Sequence, residues 1–437
     1  MAEPLQREDY SFAVTLLSPL HVGSGGHRHD LLPPIEDATG TQDVAVQTIQ
    51  RDAGGKPWIP ASTLKGMLRG LAAGLDPDIV TRLLGVATNA DTGTMGALLV
   101  RGASMIREGR ATGLPCAATL GKGVYVASRS AIDGGRGISA PNKLFHAEMV
   151  APGAQFEVRL RLETRGAIEP LRKALLTILG NLAGPGQVAI GADQASGQGA
   201  LQLTGPVTSV TWRAGINGFL VAARTTTLAA TPDCAPSGAS LRLHCPGPYL
   251  SRDPAWTKAD REKAQQGTNG FVPHIRPLRR DKVPLISGAS VAGALRARLD
   301  WLLAADHVRQ GNAPPAPRGM VRSLAEADAL APVERLFGAT GFRGVLRVSV
   351  NEVSAAPSPA RLTSARMDRF AGGTIDAALF GIEADRDVRF TLTLGLDARA
   401  KDRDRDALDR LVADLRSNGL CLGHGTARGF GWFKVEG

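Results

Sequence analysis

The chain has 437 residues, 43% of them hydrophobic and 21% charged: enough for two or three domains, with a composition that excludes wholesale disorder. Its net charge is +10, and 41 of its 51 basic residues are arginine. That excess suits a polyanionic partner, since guanidinium groups fork onto phosphates and stack on bases, although a GC-rich coding sequence leaves the same bias. No apolar run reaches the length of a membrane span, the opening MAEPLQREDY lacks the apolar core of a secretion signal, and the four cysteines show no CxxC spacing. A cytoplasmic protein with no membrane contact, disulfide framework or structural zinc is expected.

Taken in chain order, the predicted elements occur twice. An alternating strand with Val14, Leu16 and Ser18 ends at Pro19, and Leu241, Leu243, Cys245 and Pro246 repeat it at an offset of 227. At the same offset Ile59-Pro-Ala-Ser-Thr-Leu-Lys-Gly-Met-Leu-Arg69 matches Ile286-Ser-Gly-Ala-Ser-Val-Ala-Gly-Ala-Leu-Arg296. Both stretches read as helices, one with Leu64, Met67, Leu68 and Leu71 on a single side, the other with Val291, Leu295 and Leu299. Ser62 or Thr63 is the predicted N-cap of the first and Ser290 of the second.

A Leu-Leu-Gly85 or Leu-Phe-Gly338 turn and a β-rich run follow. Next, Ile132-Asp133, Leu144-Phe145 and Glu148 match Met367-Asp368, Leu379-Phe380 and Glu383 at an offset of 235. Strands at 156–162 and 390–394 lead to helical patterns at 170–182 and 405–415. Each copy closes on a G-x5-G-x-G loop, Gly191, Gly197 and Gly199 matching Gly423, Gly429 and Gly431 at an offset of 232.

Four landmarks in one order define a tandem duplication. The element order fits an α+β fold of two tandem ferredoxin-like units, each an antiparallel sheet with helices on one face. Residues 1–212 form the first unit and 241–437 the second. Residues 213–240 read as a linker in which 218–226 could add a strand, and 305–320 and 395–405 read as exposed loops.

The glycine loops admit two readings, a backbone N–H cradle for phosphate or a tight turn packed on the sheet. His424, Arg428 and Phe430 enrich the second loop, whereas Asp193, Ser196 and Gln198 make the first more polar. Neither loop is a Walker or dinucleotide motif. Lys65 and Arg69 share a helix face and could meet a nucleic-acid backbone or simply face water; Arg296 stands in the second copy.

The Pro-Leu-His21-Val-Gly-Ser-Gly25 start, the Ile-Pro-Ala-Ser-Thr-Leu-Lys-Gly66 stretch and the Ala-Arg428-Gly-Phe-Gly431 ending resemble the RAMP superfamily of CRISPR systems. The blocks Ala131-Ile-Asp133…Leu144-Phe145-His-Ala-Glu148 and Arg366-Met-Asp-Arg369-Phe-Ala-Gly-Gly373…Leu379-Phe380-Gly-Ile-Glu383 resemble the thumb region of backbone subunits in type III effectors. The resemblance implies modified ferredoxin-like (RRM-like) units with thumb insertions, two fused in one chain. Its implied partners are a CRISPR guide RNA, target RNA and other type III effector subunits. Arg129, Arg136, Arg366 and Arg369 flank the thumbs and are expected to line the guide channel. His21 and His424 are expected RNA contacts or turn residues.

Such subunits often cut target RNA with an acidic residue before the first helix and a divalent metal, Mg²⁺ or another. The position that this acid usually takes falls on Val46, so Asp43 is the nearest candidate, with Asp30 and Asp37 further off. A carboxylate there could accept the 2′-hydroxyl proton or position the metal, or Asp43 could merely cap a turn beside Gly40 and Thr41. No acid lies between Gln265 and Arg280, so the second half reads as a binding unit. Asp133 and Asp368 could be further acids or turn formers. A purely scaffolding role and, less favoured, a guide-processing histidine nuclease are the alternatives.

Overall fold

The computed structural model of the chain describes all residues except 1–4, 38–39, 73, 87–92, 112–113, 115, 134–137, 184–187, 215–219, 229–237, 254–255, 268–269, 281, 314–319, 398 and 437. The side chains of 35–37, 40, 42, 130–133, 138–143, 214, 228, 238, 324 and 376–378 also lie outside the description. The chain divides into two compact units, the second beginning at Gly238 and also counting 112–115 and 195–197.

Each unit is built on one β-α-β-β-α-β framework. In the first it consists of β1 (Leu5–Leu16), α1 (Ala61–Leu71), β2 (Ala103–Arg107), β3 (Gln155–Arg165), α2 (Glu169–Ala183) and β4 (Ala200–Ala214). In the second it consists of β5 (Gly238–Tyr249), α3 (Gly288–Arg309), β6 (Leu346–Ser354), β7 (Thr374–Leu396), α4 (Asp402–Asn418) and β8 (Trp432–Val435). The strand orders β4-β1-β3-β2 and β8-β5-β7-β6, antiparallel throughout, are those of a ferredoxin-like sheet. The expected fold class is the observed one.

Alternation in the strands and a helical stripe build each core. Phe12, Val14 and Leu16 of β1 pack with Leu64 and Leu68 of α1 and with Leu175, Ile178 and Leu182 of α2. Leu241 and Leu243 of β5 pack with Val291, Leu295 and Leu299 of α3 and with Leu408, Leu411 and Leu415 of α4. Burying such side chains contributes roughly 1.5–3 kcal/mol each, which fixes which sheet face meets the helices. No helix among the described residues is long and apolar enough to cross a membrane.

Several local expectations need correction. The helix α1 starts behind Pro60 without a side-chain cap, so Ser62 and Thr63 lie in its first turn. Likewise Ser287 precedes α3, which puts Ser290 inside the helix. Because α3 runs to Arg309 and α4 begins at Asp402, less of 305–320 and 395–405 is loop than expected. Within 213–240 the strand considered at 218–226 is present as Leu220–Leu228, which pairs antiparallel with β4 and extends the first sheet.

A second layer of strands carries the insertions. In the first unit Gly23–Arg28, Val46–Ile49, Ile138–Val150, Val124–Asp133 and Ala118–Gly121 form a five-stranded sheet. In the second unit Ala360–Met367 pairs with the first half of β7, so one long strand serves both hairpin and core.

Candidate nucleic-acid interface

The two glycine loops share one set of backbone bonds. Ala192 N donates to His21 O at 2.9 Å and Gly199 N to Pro19 O at 2.8 Å; His424 N donates to Leu250 O at 2.7 Å and Gly431 N to Pro248 O at 2.8 Å. A Cβ on Gly199 would stand 1.8 Å from Ile190 O, and one on Gly431 1.8 Å from Leu422 O. These glycines exist for close backbone approach at positive φ, and the N–H groups of 192, 199, 424 and 431 are spent on protein carbonyls. Those four N–H groups are thus closed to phosphate, which leaves recognition to the remaining loop N–H groups and to side chains.

In the second loop the side chains are an imidazole and a guanidinium. His424 and Arg428 are exposed, Arg428 Nη2 lies 3.5 Å from His424 Nε2, and its guanidinium stands 5.6 Å over the Phe430 ring. Burial, then the charges of Arg428 and Arg252, push the His424 pKa below the ordinary histidine value. Among the described residues no carboxylate forms an ion pair with Arg428. Phe430 itself is buried against Leu250, Ile382 and Ala384, which ties the loop to the root of the hairpin.

The first loop is tied by polar groups instead. Arg129, on strand Val124–Asp133, forms an ion pair with Asp193 and donates through Nη2 to Gln198 Oε1 at 2.5 Å. His21 is buried, with Nδ1 2.8 Å from Glu148 O, so Nδ1 carries the proton and the ring braces this corner rather than facing a ligand. The buried Glu148 side chain accepts from Ile49 N at 3.0 Å and Arg51 Nη2 at 3.1 Å. Arg279 repeats that bridge in the second unit, toward Glu383 at 3.8 Å and Asp385 at 2.6 Å.

The second hairpin presents its tip to solvent. Asp368 Oδ1 accepts from Phe370 N at 2.7 Å and Ala371 N at 2.8 Å. Asp368 is thus a turn former, and those backbone bonds hold its pKa below the ordinary aspartate value. Phe370 is 101% exposed, and Met367 and Leu379 are exposed nearby. Arg366 and Arg369, which precede it in the chain, are exposed and form no ion pair with a described residue. The sequence signal for Phe370 is an aromatic inside an Asp-Arg-Phe-Ala-Gly-Gly turn, where an apolar side chain has no strand or helix stripe to join. In the first hairpin Arg136 and the Asp133 side chain lie outside the described residues, while Leu144 and Phe145 are exposed.

The helix cations are divided. Arg69 donates through Nη2 to Leu84 O at 3.0 Å and Gly85 O at 2.8 Å, closing the end of helix Pro77–Leu84. Nη2 thus satisfies orphan carbonyls while the rest of the exposed guanidinium is not accounted for by these bonds. Lys65 is half-buried and Arg296 exposed, and neither forms an ion pair with a described residue. Asp43 is exposed between strands Gly40–Gln42 and Val46–Ile49. Arg28 occupies Asp30 at 2.5 Å, and the Asp52 carboxylate accepts from Gly54 N and Lys56 N at 2.9 Å each. Among the described residues no group of three or more His, Cys, Asp or Glu could hold a metal ion.

The fold and this surface define a class: a basic chain of two ferredoxin-like units, each tying a glycine loop to a hairpin, with exposed arginines and an unpacked aromatic in the second. The family model of the RAMP superfamily matches residues 13–202 and 254–434, one match in each unit, and the chain belongs to that superfamily. No curated protein matches it. Membership gives the chain a CRISPR-associated, RNA-binding role, since RAMP proteins bind CRISPR RNA and assemble into CRISPR complexes.

Proposed function

We propose that the chain is a guide-RNA-binding backbone subunit of a type III CRISPR effector, working in a cytoplasmic ribonucleoprotein with other effector subunits and a target RNA. The observation that carries this reading is the second hairpin: a fully exposed Phe370 directly after the exposed Arg366 and Arg369 in the same turn region. A side chain so placed has nothing to pack on in its own unit, and it suits a wedge between bases with cations for the flanking phosphates.

The first unit is further proposed to cut target RNA: Asp43 accepts the 2′-hydroxyl proton as that oxygen attacks the adjacent phosphorus, and the P–O5′ bond breaks to leave a 2′,3′-cyclic phosphate and a 5′-hydroxyl that takes its proton from water. The second unit is proposed to bind only. Its counterpart segment commits its acids, Asp253 to Arg276 at 2.8 Å and Asp260 to the Thr257 cap of helix Lys258–Gln266. That no group of three or more His, Cys, Asp or Glu forms among the described residues favours the second reading, a scaffold that holds RNA without cutting it. The burial of His21 and its bond to Glu148 O speak against a guide-processing centre on that histidine.

Labelled target RNA and the guide-loaded effector, with and without Mg²⁺, separate the two readings. Asp43→Ala is expected to abolish one cut while RNA binding stays intact. An unchanged set of cuts would leave the scaffold.

A further inference from the structure

The two glycine loops differ in a way that the duplication makes measurable. At the offset of 232 Asp193 occupies the position of Gly425, and both are left-handed, at φ +54° and +85°. An L-residue is unfavourable there by roughly 1–2 kcal/mol, and a glycine is not. The position that prefers glycine thus carries a carboxylate in the first unit, and that carboxylate meets Arg129. Gln198 stands where Phe430 does and already ties the loop to the hairpin through Arg129 Nη2 at 2.5 Å, so Asp193 is not needed for that link. Position 364, which matches Arg129, is a serine. The cation sits on the hairpin in the first unit and on the loop in the second, and only the first faces a built-in anion.

We infer that Asp193 is an internal counter-anion that stands in for an RNA phosphate on Arg129, while Arg428 of the second loop has no such carboxylate among the described residues. This rests on the RNA-binding reading above. RNA reaching the first loop displaces one carboxylate from one guanidinium, so the net gain there is an exchange of anions rather than a new contact. The first unit consequently adds little unspecific affinity, and the second carries most of the loop-borne electrostatics.

The test uses the full chain and a labelled single-stranded RNA oligomer, titrated at several salt concentrations. Asp193→Gly restores the residue of the second unit, and removing a partly exposed ion pair costs at most about 1 kcal/mol, so the fold persists. Asp193→Gly is expected to tighten RNA binding about threefold to tenfold at low salt. It should also steepen the log–log salt dependence by roughly 0.7, the value of one single-strand phosphate contact. Arg129→Gln combined with Asp193→Gly should cancel the gain, and Arg428→Gln should weaken binding in every background. Asp193→Gly binding as wild type or weaker, with Arg428→Gln still weakening it, would overturn this inference alone. No binding by any form would overturn the RNA-binding reading together with it.

Discussion

Replacing Arg335 with alanine is expected to destabilise the second unit by about 3–5 kcal/mol, the cost of leaving one member of a buried ion pair alone. Arg335 and Asp404 are 2% and 0% exposed, joined through Nε at 2.9 Å and Nη2 at 2.8 Å, and Arg335 also donates to Ala327 O and Arg399 O at 3.1 Å each. Burial alone would raise the Asp404 pKa, but bonds from Arg335 and the Lys401 N–H bring it below the ordinary aspartate value. The stability this pair supplies is therefore present above the aspartate range and lost as pH falls through the lowered value. Urea unfolding of the full chain should show a lower midpoint for the second unit with the first unchanged, and the difference should shrink in strong acid. Arg335→Met with Asp404→Leu should recover most of the loss, because an apolar pair of similar volume needs no charge compensation.

The second large effect lies on the RNA. Phe370→Ala is expected to weaken binding of single-stranded RNA by about 1–3 kcal/mol, roughly fivefold to 150-fold, the range for losing one base–aromatic stack. The side chain is fully exposed and the turn is held by Asp368 through backbone N–H groups, so stability should not change. Phe370→Trp should retain affinity. Equal binding by all three forms would remove the wedge from the account.

The duplication and its ferredoxin-like framework were legible because glycine loops and apolar stripes leave residue-type signatures at fixed spacing. The first strand was matched in the wrong register. Val14 faces Phe156 and Leu243 faces Phe390, and Pro19 and Pro248 make the same loop bond, so the offset is 229 rather than 227. A strand pattern repeats every two residues, and a slip of two leaves it unchanged. The fate of individual cations was not legible either. Nothing in the sequence marks that Arg69 closes a neighbouring helix or that Arg129 meets Asp193, because both bonds depend on chain brought together by the fold. Phe370 was visible as a residue, but its exposure is a property of the hairpin that lifts it from the core.

The most direct test of the RNA-binding surface is a salt titration of the chain on single-stranded RNA, with Arg366→Gln, Arg369→Gln and Arg428→Gln combined in one variant. The wild type should bind with an affinity that falls steeply with salt, and the triple variant should bind more weakly with a log–log slope shallower by about 2, near 0.7 per lost phosphate contact. RNA binding with the same strength and the same slope in both proteins would contradict the assignment of the second unit's hairpin and loop as the RNA surface.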